Sequence, residues 1–237
     1  MKNIIAIIQS RTGSKRLKNK ALLKLGNYSI LEWVIRRVKK SKNINQIILA
    51  TTNKKNDSIL AKVAKKNKIK FFLGSENNVF DRFHKITKKI KPKYVVRICA
   101  DNPFIDSDEI DKLVKFTLKK RLDYGFNHIP YKNNNYIDGV GAECIKSTYF
   151  EKFKNKINKN FFFKEHVTSY IWKNKKKFNF DYLKSPKKYK FPKLKLDIDY
   201  KKDFEKFSNY LNNYQDVPEK FDNRRIIKYL IGTKKKF

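Results

Sequence analysis

The sequence predicts a doubly wound α/β fold, in which a mostly parallel sheet is covered by helices on both faces. Short β-branched runs alternate with amphipathic helical segments over residues 3–127, and the connections between them are short. This alternation is typical of parallel strands joined by right-handed helical crossovers. The chain has 237 residues, of which 40% are hydrophobic, so it can bury a core without a disulfide or a structural metal.

Five strands and four helices account for the first half of the chain. The first two predicted strands are almost continuous apolar runs, which indicates burial on both faces of the sheet. Each predicted helix has apolar residues three and four positions apart, and Ser29 stands at the N-cap position of the first helix. The strands cover residues 3–9, 47–51, 69–73, 94–99 and 124–127, and the helices cover residues 29–40, 59–64, 79–90 and 110–117.

The second half of the chain is less regular and predicts a small β-rich subregion within a single domain. No internal repeat or low-complexity linker interrupts the chain. We therefore expect one domain over residues 1–237, with an inserted subregion at about residues 128–185. The predicted elements are an extended pair over 136–145, a helix over 165–172, strands over 178–183 and 194–198, and helices over 203–211 and 224–230.

The chain is strongly basic, with 58 Lys and Arg against 22 Asp and Glu, which gives a net charge of +36. One interpretation is genomic, because the abundant Lys, Asn, Ile, Phe and Tyr all have A/T-rich codons. The other is a functional surface that binds a polyanion such as nucleic acid or an acidic membrane. In either case the charge favours phosphate-rich ligands, with a strong dependence on salt.

Cysteine usage and hydropathy exclude several classes of protein. The two cysteines, Cys99 and Cys144, are too few for a disulfide-rich scaffold or a four-thiolate zinc site. The apolar run at the start of the chain, residues 4–8, is too short for a signal-peptide core or a membrane span. We therefore expect no membrane association and a reducing compartment, most simply the cytoplasm.

A basic loop over residues 9–20 follows the first predicted strand, which places it at the ligand-binding edge of the sheet. A glycine lets backbone N–H groups approach an anion, and arginine grips phosphate oxygens in pairs. The loop therefore predicts a polyphosphate cradle, the alternative being a solvated basic loop. Its spacing matches neither a Walker loop nor the Gly-x-Gly-x-x-Gly pattern. Its cations are Arg11, Lys15, Arg16, Lys18 and Lys20, and they surround Gly13 and Ser14.

Carboxylates stand at two further positions where they can meet a phosphate. Asp101 comes directly after the strand over 94–99, where a carboxylate can hold Mg²⁺ against a triphosphate or, alternatively, cap the loop. Asp197 and Asp199 are two residues apart on one predicted strand and so share a face. They are candidates to complete a metal site with Asp101, although Asp199 is equally placed to cap the next helix. The adjacent Glu165 and His166 are by themselves a weak signal.

Taken together, the ordered motifs resemble the sugar-acid cytidylyltransferase family over roughly residues 3–211. The resemblance is strongest to the branch named for spore-coat polysaccharide synthesis, which is related to the acylneuraminate and Kdo cytidylyltransferases. The motifs are Gln9-x-Arg-x-Gly-Ser-x-Arg-Leu-x-x-Lys20, Ala50-Thr-Thr52, Gly74-Ser75 with Asp81-Arg82, Arg97-x-x-x-Asp101-x-Pro103, Glu165-His-Val-Thr168 and Asp199-x-x-x-Asp203.

The resemblance implies a Rossmann-like nucleotidyltransferase fold that binds CTP, Mg²⁺ and a small anionic acceptor, and that forms a homodimer. Residues 128–185 would then serve acceptor binding and dimerisation. By match, Arg11, Lys20, Asp101 and Asp199 are catalytic, and the two aspartates hold the metal. The nucleotide-binding residues are Gln9, Arg11, Gly13, Ser14, Arg16, Lys20, Ala50, Thr51, Thr52, Gly74, Ser75, Arg82 and Arg97. The acceptor-binding residues are Asp138, Glu143, Glu165 and His166.

The implied activity is transfer of CMP from CTP to a sugar acid in surface-glycan biosynthesis. Gly141 stands where relatives commonly have an acid, and Lys18-Asn19 replaces a usual Pro-Gly. A phosphonate, a polyol phosphate or a sugar phosphate is therefore an alternative acceptor. The sequence is also compatible with a relative that binds CTP without turnover and, in a different class, with a basic nucleic-acid-binding protein.

Overall fold

The computed structural model describes residues 3–212 and 217–234. Seven strands form one sheet in the order β5-β4-β1-β6-β8-β7-β9, and β2 and β3 form a separate hairpin. The strands are β1 Ile4–Gln9, β2 Lys24–Leu25, β3 Tyr28–Ser29, β4 Gln46–Thr52, β5 Lys70–Gly74, β6 Tyr94–Cys99, β7 Tyr124–Phe126, β8 Glu143–Lys146 and β9 Phe180–Tyr182. The helices are α1 Ile30–Val38, α2 Ser58–Lys66, α3 Val79–Ile90, α4 Ser107–Lys119, α5 Thr148–Asn158, α6 Phe161–Glu165, α7 Ser169–Lys173, α8 Lys201–Leu211 and α9 Asn223–Lys234.

The strand order reverses at β1, which fixes where a ligand can bind. β1 pairs in parallel with β4 on one side and with β6 on the other, and among the described strands of this sheet only β8 runs antiparallel to its neighbours. The chain steps from β1 outward to β4 and β5, then returns to the far side of β1. In open α/β sheets, such a reversal opens a crevice at the carboxyl ends of the strands. The loops after Gln9 and Cys99 leave the sheet at this crevice.

The core lies on both faces of the sheet, as the continuous apolar strands predict. Alternate residues of a strand point to opposite faces. Ala6 and Ile8 of β1 therefore pack in one cluster with Val34 of α1, whereas Ile5 and Ile7 pack in another with Phe80 of α3. Burial of these side chains is what holds the strand ends, and hence the crevice, in place. In the described part of the chain, no helix is long and apolar enough to cross a membrane.

The predicted α/β fold is confirmed, and several element boundaries agree closely. The strand over 94–99 and the helix over 79–90 form at those residues. Ser29 caps α1 in a reciprocal capping box with Glu32. The two-residue strands β2 and β3 are not predicted from the sequence, because they are too short to show any alternation.

The second half differs from the sequence prediction in three places. Residues 165–172 form no single helix, because α6 ends at Glu165 and α7 begins at Ser169. Residues 194–198 are extended but make only an isolated bridge, between Lys195 and Asp138. Of residues 136–145, only 143–145 are in a strand. The expected β-rich subregion over 128–185 contains helices α5–α7, and its strands β8 and β9 belong to the main sheet.

Candidate active site

A cleft of about 480 Å³ opens at the carboxyl ends of β1 and β6, at the reversal of the strand order. Its walls come from the basic loop, from the segment after β6, from the start of α3 and from the end of α6. The lining residues are Gln9, Ser10, Arg11, Ser14, Lys15, Arg16, Lys20, Ala21, Val79, Arg82, Arg97, Cys99, Ala100, Asp101, Glu165 and His166. Most of the charged residues singled out in the sequence therefore meet in one place.

The basic loop is folded around Thr12. The carbonyl oxygen of Thr12 accepts hydrogen bonds from the backbone N–H groups of Ser14 (2.8 Å) and Asn19 (3.2 Å). Asn19 has a positive φ of 54°, a conformation that asparagine tolerates better than most residues. It thus makes a turn at a position where the resemblance leads one to expect glycine. The turn brings Lys20 back to the crevice.

Lys20 lies between two aspartates that are distant in the sequence. Its Nζ atom is 2.9 Å from Asp101 Oδ2 and 3.4 Å from Asp199 Oδ1. The lysine side chain is only 12% exposed, so the ammonium is held within the wall of the cleft. The backbone N–H of Ile198 donates to the carbonyl oxygen of Asp101 (2.9 Å), which fixes the two aspartate segments side by side.

Asp199 is not itself among the residues that line the cleft, but it contacts two cations that do line it, Arg16 and Lys20. Arg16 Nη2 donates to Asp199 Oδ1 at 2.7 Å, and the Arg16 guanidinium lies over the Tyr200 ring. Asp203 Oδ2 accepts the backbone N–H groups of Asp199 and Tyr200 at the start of α8. Asp203 is therefore the capping residue, and the carboxylate of Asp199 is left to interact with cations.

The end of α6 contributes Glu165 and His166 to the lining of the cleft. Arg11 Nη2 lies 3.1 Å from Glu165 Oε1, and both side chains are about one-third exposed. His166 follows at the break between α6 and α7, and its ring lies 4.6 Å from that of Phe162. The structure therefore brings Glu165 and His166 to the same cleft as the basic loop.

Arg82 is a buried cation with few partners. It is 2% exposed, and its Nη1 atom makes one long hydrogen bond, 3.4 Å, to the carbonyl oxygen of Ala50. Its Nε atom is buried without a hydrogen-bond acceptor. Burial lowers the pKa of Arg82 to about 10, and the nearby cation of Arg11 adds to this shift. A buried guanidinium with unused donors at a cleft wall is suited to receive acceptor atoms of a ligand.

Arg97 lines the floor of the cleft but is already paired beneath it. Its Nε atom donates to Gln9 Oε1 (2.9 Å) and its Nη1 atom to Glu143. Glu143 is 2% exposed and also accepts a hydrogen bond from the Tyr124 hydroxyl (2.5 Å). Burial is the largest single effect and would raise the pKa of Glu143, but the Arg97 cation, His128 and the hydrogen bonds from Tyr124 and Thr168 together outweigh it and hold that pKa at about 2. Glu143 is not among the residues that line the cleft, and its predicted contact with the acceptor stays a prediction.

Several predicted nucleotide-binding residues stand behind the cleft wall. Ala50, Thr51 and Thr52 end β4 and are fully buried, and the Thr52 hydroxyl donates to Asp57. Gly74 ends β5, where a side chain would collide with Arg82, since an added Cβ would lie 2.8 Å from its Cγ. None of these residues, nor Gly13 or Ser75, is among those that line the cleft.

Asp138 also lies outside the cleft lining. Its carboxylate is 3.8 Å from Lys195 Nζ, and its side chain is 19% exposed. Burial raises the pKa of Asp138 to about 7, and the neighbouring carboxylate of Asp197 adds to the shift. Asp197 has one buried carboxylate oxygen without a hydrogen-bond donor. The backbone N–H of Leu196 donates to the carbonyl oxygen of Asp138 (3.0 Å), and the N–H of Ile198 donates to that of Asp101 (2.9 Å), so the segment that carries Asp197 joins Asp138 to Asp101.

The donor set at Lys20 suits a divalent cation. Asp101 and Asp199 already direct carboxylate oxygens at one positive charge, and carboxylate oxygens are the ligands that Mg²⁺ prefers. Among the described residues, no three His, Cys, Asp or Glu side chains form a group that could hold a metal ion. Two carboxylates are the number that Mg²⁺ takes from a protein when a phosphate substrate and water supply the remaining ligands.

Asp57 is a site residue that the sequence does not reveal. It is 2% exposed, and its carboxylate accepts hydrogen bonds from the basic loop as well as from Thr52. In the sequence, Asp57 precedes α2 and has the position of an ordinary N-cap residue. No motif or spacing distinguishes it from a cap, so only the folded structure reveals its partners.

A strand-end crevice with a basic loop, two aspartates and a lysine between them defines a nucleotidyltransferase-type site. The sequence profile of the cytidylyltransferase family matches residues 5–230. The chain therefore belongs to the cytidylyltransferase family, and the predicted family is confirmed.

Three similar proteins span nearly the whole chain. An uncharacterised protein of Methanocaldococcus jannaschii is 40% identical over 228 residues, which cover 96% of this chain and 90% of the relative. The spore coat polysaccharide biosynthesis protein SpsF of Bacillus subtilis is 31% identical over 209 residues, or 86% of this chain and 85% of the relative. The structure of a cytidylyltransferase from Leptospira borgpetersenii superimposes with a TM-score of 0.87 and 26% identity, covering 99% of this chain and 96% of the other.

Proposed function

We propose that this protein transfers CMP from CTP to a sugar acid, with release of pyrophosphate, in the synthesis of a surface glycan. The observation that carries the proposal is the convergence of Lys20, Asp101 and Asp199 at the strand-end cleft. The glycan role rests on the similarity to the spore coat polysaccharide protein of Bacillus subtilis. A homodimer and a cytoplasmic location stay predictions.

The triphosphate binds to the basic loop. Arg11, Arg16 and Lys20 line the cleft and present guanidinium and ammonium donors to the phosphate oxygens. In the free protein these three cations contact Glu165, Asp199 and Asp101. A triphosphate replaces those carboxylates as the partner of each cation, so nucleotide binding exchanges one set of ion pairs for another.

The acceptor hydroxyl oxygen attacks the α-phosphorus in line and gives up its proton to solvent water, and the bond from that phosphorus to the pyrophosphate oxygen breaks. Positioning and charge neutralisation supply most of the rate enhancement in reactions of this class. Lys20 and Arg16 stabilise the negative charge that develops on the leaving pyrophosphate. Mg²⁺ held by Asp101 and Asp199 would neutralise further phosphate charge. Glu165 and His166 face the acceptor.

The cytosine base is read by Arg82. A guanidinium offers only hydrogen-bond donors, and the O2 and N3 atoms of cytosine are both acceptors. Uracil carries a hydrogen on N3, so its N3–H donor would face a guanidinium N–H donor of Arg82, and no hydrogen bond could form between them. Because Arg82 is buried and its Nε atom has no hydrogen-bond acceptor, a mismatched base leaves buried donors unpaired, which is costly.

A pyrophosphate-release assay tests the proposal. Each of the four nucleoside triphosphates is combined with a panel of keto-sugar acids, phosphonates, sugar phosphates and polyol phosphates. The proposal requires release with CTP and a sugar acid. Release with CTP and only a phosphonate or a polyol phosphate would reassign the acceptor. Absence of release with every pair, together with steeply salt-dependent RNA binding, would instead favour the nucleic-acid-binding class.

A further inference from the structure

Asp57 connects two parts of the active site that are far apart in the sequence. Its Oδ1 atom accepts hydrogen bonds from the Thr12 backbone N–H (2.8 Å) and the Thr12 hydroxyl (2.5 Å). Its Oδ2 atom accepts a hydrogen bond from the Thr52 hydroxyl at the end of β4. A single buried carboxylate therefore ties the basic loop to the sheet.

The position of Asp57 in the chain makes this use of the side chain unexpected. Asp57 stands at the N-cap of α2, where an aspartate ordinarily accepts a backbone N–H of the first helical turn. Its side chain makes no capping hydrogen bond. The carboxylate is directed away from its own helix and toward Thr12 and Thr52, so local helix stability does not account for it.

The Thr12 contact controls the shape of the whole basic loop. The N–H and the hydroxyl of Thr12 donate hydrogen bonds to Asp57, and its carbonyl oxygen accepts hydrogen bonds from the N–H groups of Ser14 and Asn19. Asn19 immediately precedes Lys20. The chain of contacts thus runs from Asp57 through Thr12 to the turn that places Lys20 between the aspartates.

Asp57 also acts on Arg82 through its charge. Among the described residues, Asp57 forms no direct ion pair, yet its negative field favours the charged form of Arg82. Burial alone would raise the pKa of Asp57, but the hydrogen bonds from Thr12 and Thr52 outweigh burial and keep that pKa below its ordinary value. The carboxylate is therefore charged, and it supplies part of the counter-charge for the buried guanidinium.

We propose that Asp57 is a positioning residue of the nucleotide site, which holds the basic loop in its triphosphate-binding conformation through Thr12. Asp57 touches neither substrate, so it acts entirely through Thr12 and the loop. The inference rests on the proposed binding of CTP at this loop. It goes beyond that function by assigning the preorganisation of the loop to one residue outside the cleft.

Asp111 provides a matched control. Its carboxylate likewise accepts a hydroxyl, from Ser41 at 2.5 Å, and two backbone N–H groups, from Lys42 and Asn43. It braces the loop before β4, at the opposite edge of the sheet from the cleft. Asp111→Asn therefore removes the same kind of contact as Asp57→Asn without touching the active site.

The first measurement is amide hydrogen exchange in the nucleotide-free protein. We expect Asp57→Asn to increase exchange over residues 12–19, because the Thr12 anchor is weakened, whereas Asp111→Asn leaves that segment unchanged. Equal protection of residues 12–19 in wild type and Asp57→Asn would overturn the proposal. This readout does not depend on any nucleotide.

The second measurement is CTP binding by calorimetry. We expect Asp57→Asn and Thr12→Val to weaken binding about tenfold or more, because a hydrogen bond to a charged group is lost in each. Thr12→Ser, which keeps the hydroxyl, restores most of the affinity lost in Thr12→Val, and Asp111→Asn binds as wild type does. Wild-type affinity in Asp57→Asn would overturn this inference alone. Failure of the wild-type protein to bind CTP would instead overturn the proposed function.

Discussion

The ammonium of Lys20 lies 2.9 Å from a carboxylate oxygen of Asp101, although the two residues are 81 positions apart in the chain. Asp199 approaches the same ammonium at 3.4 Å. In the free protein, Lys20 thus occupies the position between two carboxylates that a divalent cation would use. We therefore expect Lys20 and a divalent cation to compete for these oxygens until a triphosphate offers the lysine other partners.

Replacing Lys20 by methionine is expected to tighten divalent-cation binding to the nucleotide-free protein. Without the ammonium, Asp101 and Asp199 repel each other and gain more from a bound cation. We expect Mn²⁺ affinity, followed by electron paramagnetic resonance or calorimetry, to rise about tenfold or more, which is about 1.4 kcal/mol. Lys15→Met removes another lysine of the same cleft and serves as the control. Unchanged or weaker Mn²⁺ binding in Lys20→Met would contradict the competition.

Arg82→Met is expected to reduce the preference for CTP over UTP. The buried guanidinium donors match the acceptors of cytosine but not the N3–H of uracil. We expect the ratio of kcat/KM for CTP to that for UTP to fall by about tenfold to a hundredfold. If the variant loses affinity for both nucleotides equally, Arg82 binds phosphate rather than the base. A thermal unfolding measurement controls for loss of fold.

His166→Gln is expected to affect acceptor kinetics more than CTP kinetics. His166 lines the cleft at the break between α6 and α7. We expect KM for the acceptor to rise about tenfold, the cost of one hydrogen bond to a charged group, with KM for CTP changed less than about twofold. Steady-state kinetics with each substrate varied in turn provide the test. A larger effect on CTP would place His166 in the nucleotide pocket.

Asp138→Asn is expected to stabilise the protein at pH 8 more than at pH 5. The folded-state pKa of Asp138 is raised to about 7 by burial and by Asp197, while Lys195 opposes this rise. A raised pKa means that the folded state favours the protonated acid, so this contribution is present at low pH and is lost as the pH rises toward 7. Each tenfold change in proton affinity corresponds to at most about 1.4 kcal/mol of stability. Denaturant unfolding at both pH values measures the difference, and an equal effect at pH 5 and pH 8 would refute the assignment.

The location of the site follows from the sequence because parallel strands place their ends at one edge. The motif after β1 and Asp101 after β6 belong to neighbouring strands, so their meeting is a consequence of the strand order. The position of Asp199 is less evident, because residues 194–198 form no strand. They are held by backbone hydrogen bonds to Asp101 and Asp138, and such long-range pairing leaves no periodic signal.

The sequence does not reveal which hydrogen-bond partner each buried polar group has in the folded protein. The sequence predicts that Glu143 and Thr52 contact a ligand. In the structure, Glu143 accepts a hydrogen bond from Arg97, and the Thr52 hydroxyl donates to Asp57. Buried polar groups must find partners, but which partner is set by contacts between distant segments. Asp57 illustrates the converse, because a residue with the local pattern of a helix cap turns out to anchor the basic loop.

The Asp101→Asn variant tests whether Asp101 and Asp199 serve the transfer of CMP from CTP. The measurement is CTP-dependent pyrophosphate release with a sugar-acid acceptor, with Asp108→Asn at an exposed position on α4 as the control and circular dichroism to verify the fold. We predict a loss of at least about a thousandfold in kcat for Asp101→Asn, with Asp108→Asn near wild type. A folded Asp101→Asn variant that releases pyrophosphate at close to the wild-type rate would contradict a role for Asp101 in CMP transfer.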